Sequence, residues 1–98
     1  MLEIEQTEDF RRWVSGLRDA RAKAKILVRI QRLRFGNAGD VKPVRSGVSE
    51  MRIDEGPGYR VYFVQRGAVL VVLLCGGTKA RQQDDISRAI ALAEEWEA

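Results

Sequence analysis

Arg52, Arg60 and Lys79 are the residues whose types and spacing point most directly to chemistry. The two arginines lie in alternating segments, Val48–Asp54 and Tyr59–Gln65, joined by Gly56–Pro57–Gly58. A hairpin that keeps Met51 and Ile53 on one face with Val61 and Phe63 puts Glu50, Arg52, Arg60 and Tyr62 on the other. A one-residue slip would flip a whole set, so the register is constrained. Arg52 then sits opposite or diagonal to Arg60. Lys79 follows an apolar segment across Gly76–Gly77–Thr78 and reaches the same end of the sheet, with Arg81 nearby. Arginine forks match phosphate oxygens and stay charged. Such a cluster suits stabilising the extra negative charge of a pentacovalent phosphorus in RNA cleavage. The same charges also suit surface ion pairs with Glu50, Asp54 and Glu55.

Composition narrows the choices. The chain has 98 residues, with 17 Lys and Arg, 14 Asp and Glu, no His and a net charge of +3. Without His there is no Ser–His or Cys–His pair and no imidazole pH switch. Any RNA cleavage here is therefore expected to lack a His titration near pH ~6.5. The single Cys excludes an internal disulfide and a Cys-based metal cluster. That residue, Cys75, ends the apolar run Ala68–Cys75 and reads as a small buried residue. The acidic start, Met1–Asp9, is the opposite of a signal peptide's basic one. The apolar run falls far short of the ~20 residues a spanning helix needs. Together these predict a cytoplasmic protein with no membrane partner.

The elements that must position the cluster follow from periodicity. Met1–Gln6 alternates as a short strand. Thr7 reads as the N-cap of a helix burying Phe10, Trp13, Val14 and Leu17. Asp19 caps a second helix to about Phe35, with Ile26, Leu27, Ile30 and Leu33 as its stripe and Gly36–Asn37 as its stop. The short connection predicts an antiparallel helical hairpin. Val41–Arg45, with Pro43, suits an edge strand. Ala68–Cys75 suits a central strand covered on both faces and broken by Gly76–Gly77. A C-terminal helix follows, with Ile86, Ile90 and Ala93 on one face. The sum is one α+β domain over residues 1–98, its long helices on one side of a mostly antiparallel sheet. Arg18–Arg34 carries seven basic residues, which suits either a nucleic-acid surface or a solvated face. Trp13 is expected in the core and Trp96 exposed.

Several stretches resemble a known family. They are Gly47–Phe63 (GVSEMRIDEGPGYRVYF), Val72–Lys79 (VLLCGGTK) and Gln83–Ile86 (QDDI), together with Phe10–Trp13 (FRRW) and Arg34–Lys42 (RFGNAGDVK). As an ordered set they resemble the addiction-module killer proteins, the HigB-like branch of the RelE/ParE toxin superfamily. The resemblance implies a RelE-like fold, with an N-terminal strand and helical hairpin on a small, mostly antiparallel sheet and a C-terminal helix. It implies a type II toxin that cuts mRNA in the ribosomal A site, with ribosome and mRNA as partners. In that reaction the ribose 2′-OH attacks the adjacent phosphate without metal or cofactor. It also implies a cognate antitoxin, commonly a small helix-turn-helix protein.

Carried over by position, Arg60 falls where the family's transition-state-stabilising Arg lies. Arg52 and Lys79 fall at further basic positions, completing the catalytic set. Lys42, Arg45, Glu50, Tyr62 and Arg81 form the RNA-binding set around it. Two departures stand out. Asp84, Asp85 and Ile86 occupy the region where RelE has a base-stacking Tyr, and Glu50 stands where RelE has a Lys. Glu50, Lys79 and Tyr62 each remain candidates for a general base. The departures keep two alternatives open: a ParE-like inhibitor of DNA gyrase that cuts no RNA, and a decayed toxin acting only in an autoregulating complex.

Overall fold

A computed structural model describes residues 1–96. It contains five strands, β1 (Glu3–Gln6), β2 (Val41–Pro43), β3 (Ser49–Ile53), β4 (Tyr59–Arg66) and β5 (Leu70–Thr78), and three helices, α1 (Glu8–Ser15), α2 (Ala20–Arg34) and α3 (Gln82–Glu95). A single 3₁₀ turn, Lys79–Arg81, leads from β5 into α3. The strands form one mixed sheet in the order β1-β5-β4-β3-β2. Only β1 runs parallel to its neighbour, β5; the other pairs are antiparallel. This α+β architecture is compatible with a RelE-like fold. Among the described residues no helix is long and apolar enough to cross a membrane.

Local chemistry sets the helix starts. The Thr7 hydroxyl accepts from the Phe10 N–H at 3.0 Å and donates to the Leu74 carbonyl at 2.5 Å, so one side chain caps α1 and ties it to β5. Asp19 accepts from the backbone N–H groups of Arg21 and Ala22, both at 3.1 Å. Helix α2 ends where Gly36 adopts φ +87, a conformation that costs glycine little.

Strand parity splits the apolar residues into two cores. Met51, Ile53, Tyr59, Val61, Phe63, Val71 and Leu73 face α1 and α2. Tyr62, Val64, Val72, Leu74 and Cys75 face α3. A bulge at Leu74 lets Leu74 and Cys75 both enter the second core, because Tyr62 pairs with Cys75 while Phe63 already pairs with Leu73. Strand β5 is therefore covered on both faces, as its unbroken apolar run predicts.

Four expectations need correction. The long helices are not all on one side, since α3 packs on the face opposite α1 and α2. Gly76–Gly77 does not break β5, which continues to Thr78. A Cβ on Gly76 would collide with the Trp13 indole, and one on Gly77 with the Asp85 carboxylate, so these glycines allow close packing over a continuing strand. Leu27 leaves the apolar stripe of α2 and is half exposed, because the sheet reaches only the side of Ile26, Ile30 and Leu33. Trp96 is partly buried against the second core, not exposed, while Trp13 packs on the first core as expected.

Candidate phosphate-binding site

The β3–β4 register pairs Met51 with Val61, Glu50 with Tyr62 and Arg52 with Arg60. Arg52 and Arg60 are thus direct cross-strand neighbours. The turn between them is tied to the end of the adjacent strand β5, where the Gly58 carbonyl accepts from the Lys79 N–H at 2.8 Å. This bond brings the exit of β5 against the β3–β4 turn. Arg52, Arg60 and Lys79 consequently line one shallow pocket of about 370 Å³, together with Asp40, Asp54 and Gly58.

The three cations sit there differently. Lys79 is exposed. Arg52 is partly exposed, and its Nη2 and Nε donate to Asp40 Oδ1 at 2.7 and 3.2 Å. The guanidinium holds the Asp40 carboxyl below the usual carboxylate range, and the carboxylate in turn raises Arg52. Arg60 is the most enclosed, with only 11% of its side chain exposed, and its Nε lies 3.8 Å from Glu50 Oε1.

Glu50 and Tyr62 are at 0% exposure, which corrects their expected place in the RNA-binding set. Helix α3 covers that stretch of the face. The Tyr62 hydroxyl donates to Glu50 Oε2 at 3.1 Å, and Gln82 Nε2 donates to the same oxygen at 2.8 Å. Burial and the Glu50 carboxylate push the Tyr62 phenol well above its ordinary range. Neither side chain lines the pocket. Of the three base candidates, Lys79 lines the pocket.

Lys42, Arg45 and Arg81 are exposed and stand outside the pocket. Lys42 pairs opposite Glu50 on the edge strand. Arg45 Nη2 donates to Ser87 Oγ at 3.3 Å, on the α3 side. Arg81 lies 3.9 Å from Asp84. Burial pushes the Cys75 thiol up to about 12, so it is not a reactive nucleophile.

Three contributors escaped the sequence reading. Arg29 Nη1 donates to the Arg52 carbonyl at 2.6 Å, and its Nη2 donates to the carbonyls of Ala38 at 3.0 Å and Asp40 at 3.3 Å. It fixes both the strand that carries Arg52 and the loop that carries Asp40. Gly39, at φ +71, leaves room for that guanidinium. The available signals were the Gly-rich loop before Asp40 and the phase of Arg29, which follows the buried side of α2. Gln82, which holds Glu50, left no comparable signal.

Comparison with known proteins places this chain in a family. The model of the phage-derived Gp49-like proteins matches residues 12–96. The chain belongs to this family. Gp49-like proteins belong in turn to the RelE/HigB-like toxins, which suggests the toxin of a toxin–antitoxin pair and hence a cognate antitoxin. An uncharacterized protein of Haemophilus influenzae (strain ATCC 51907 / DSM 11121 / KW20 / Rd) is 54% identical over 94 residues, covering 96% of this chain and 95% of its own length. The match of this Gp49-like chain runs through β3, β4 and β5 and so includes every cation of the pocket.

Proposed function

We propose that this Gp49-like chain is a toxin of the HigB-like branch that cleaves mRNA on the ribosome, in the cytoplasm. The observation that carries the reading is the convergence of Arg52, Arg60 and Lys79 on one pocket at the open end of the sheet. Arg52 and Arg60 stand directly opposite on adjacent strands, each beside one carboxylate, and a phosphate between them supplies a counter-charge that both can share. Arg60 presents its fork to the phosphate, while Arg52 and Lys79 add positive charge at its flanks.

The chemistry is a transesterification. The bond from the 2′-oxygen to phosphorus forms as the bond from phosphorus to the 5′-oxygen breaks. The 2′-hydroxyl loses a proton and the 5′-oxygen gains one, leaving a 2′,3′-cyclic phosphate and a 5′-hydroxyl. Arginine stays protonated throughout, so it holds charge and moves no proton. Lys79 and Asp54 are the pocket's proton-handling groups, Asp40 being occupied by Arg52. Fixed cations aimed at the developing charge supply the main catalytic contribution. A helix-turn-helix antitoxin would cover this pocket with an acidic or amphipathic segment, by charge complementarity.

Production of the chain without its antitoxin, followed by primer extension on translated mRNA, tests the reading. The expected result is growth arrest with new 5′ ends inside coding regions. Growth arrest with intact mRNA and inhibited supercoiling by purified gyrase would replace it with the ParE-like reading. Normal growth would favour the decayed toxin.

A further inference from the structure

Glu50 is the fully buried acid of the second core, and its two carboxylate oxygens have different surroundings. Oε2 is held by the Tyr62 hydroxyl and the Gln82 amide. Oε1 has no hydrogen-bond partner, and neither does the buried Nε of Arg60, which lies 3.8 Å away. Buried polar atoms are nearly always paired, so two that face each other unpaired at this distance form one incomplete contact. Closing it needs a shift of under about 1 Å to reach ordinary hydrogen-bond length. Catalytic hydrogen bonds are often long in the free enzyme and tighten when substrate binds.

We infer that Glu50 is a positioning residue for Arg60, clamped by Tyr62 and Gln82 so that the guanidinium is held from behind while its fork faces the phosphate pocket. The clamp joins three elements: Glu50 comes from β3, Tyr62 and Arg60 from β4, and Gln82 from the first turn of α3. Burial gives it force, because an ion pair shielded from water is weakened little by solvent. The negative charge also lowers the local positive potential, so Glu50 does not strengthen phosphate attraction. What it supplies is orientation, and small misplacement of a catalytic group can cost about 10²-fold in rate. This role replaces the direct RNA contact and the general-base role considered for Glu50 from sequence. It rests on the endonuclease reading of the pocket.

Glu50→Gln separates orientation from attraction, since the amide keeps the size of the carboxylate and an oxygen for Tyr62 or Gln82. Ribosome-dependent cleavage, measured with the full chain, is expected to lose about tenfold or more in kcat with KM unchanged or lower. Tm and the far-UV circular dichroism spectrum serve as folding controls. A general collapse of packing would move those controls as well, and loss of an RNA contact would raise KM. A folded Glu50→Gln variant with undiminished kcat, or one whose KM alone rises, overturns the role. The Arg60 Nε–H resonance in the presence of inorganic phosphate tests the clamp without cleavage. Its exchange with solvent is expected to be slow in the natural chain and at least tenfold faster in Glu50→Gln. Equal exchange rates overturn the clamp, whatever the activity. Protected exchange in a chain that cuts no mRNA would instead leave the clamp standing and remove the endonuclease reading.

Discussion

The two faces of the sheet are built to different standards. On one, Phe10, Val14, Ala22, Ile26, Ile30 and Leu33 from two helices close over apolar strand residues throughout. On the other, a single helix supplies Ile86, Ala89, Leu92 and Ala93 over β4 and β5. Towards β3 that second core turns polar, with Glu50, Tyr62 and Gln82, and then opens at Arg52, Arg60 and Lys79. The first face does the work of stability, where any apolar set of the right shape would serve. The second gives up apolar closure at one end, and the proposed phosphate site sits at that edge.

Substitutions on each face break or sharpen this contrast. The largest loss of stability belongs to the closed face. Ile26→Ala is expected to cost about 2–5 kcal/mol by chemical denaturation, since it empties a site at 0% exposure. Activity per folded molecule should stay close to that of the natural chain, and a selective loss of cleavage would break the division of labour. A smaller effect is expected from Tyr62→Phe, about 1–3 kcal/mol, because a buried carboxylate loses one donor. Here cleavage should fall along with stability, since the lost donor belongs to the clamp behind Arg60.

Smaller still is the effect at Asp85, whose buried Oδ2 lacks a partner. Burial raises its carboxyl, so the stability associated with the protonated form is present in acid and lost as pH rises through the folded pKa. Asp85→Asn should therefore raise Tm at pH 7, with the gain shrinking as pH falls through the raised folded pKa and gone below the ordinary carboxylate range. A gain that persists unchanged in acid would point to packing in place of charge. The smallest response is expected at Cys75. Its raised thiol should resist alkylation by iodoacetamide at neutral pH until the chain unfolds, and rapid labelling of the folded protein would contradict its burial.

How much of this was legible in the sequence depended on whether the signal was periodic. Strand parity placed Arg52 beside Arg60, because apolar alternation leaves one register that buries Met51, Ile53 and Val61 together. The caps at Thr7 and Asp19 were legible because side-chain capping is local. The position of α3 was not legible. Its apolar face fits either side of the sheet, and the side it takes decides whether Glu50 and Tyr62 are wet or buried. The continuation of β5 through Gly76–Gly77 was equally hidden, since glycine marks a break and a close approach alike. The convergence of Arg52, Arg60 and Lys79 was therefore readable, and what holds them was not: Arg29 acts through backbone carbonyls and Gln82 through a buried carboxylate.

Arg60 is the residue proposed to stabilise charge on the cleaved phosphate. The most direct measurement is the rate of mRNA cleavage on translating ribosomes for the natural chain and for Arg60→Ala, with Tm as the control for folding. A loss of about 10²–10³-fold is expected, with Tm nearly unchanged. Undiminished cleavage by Arg60→Ala would contradict it.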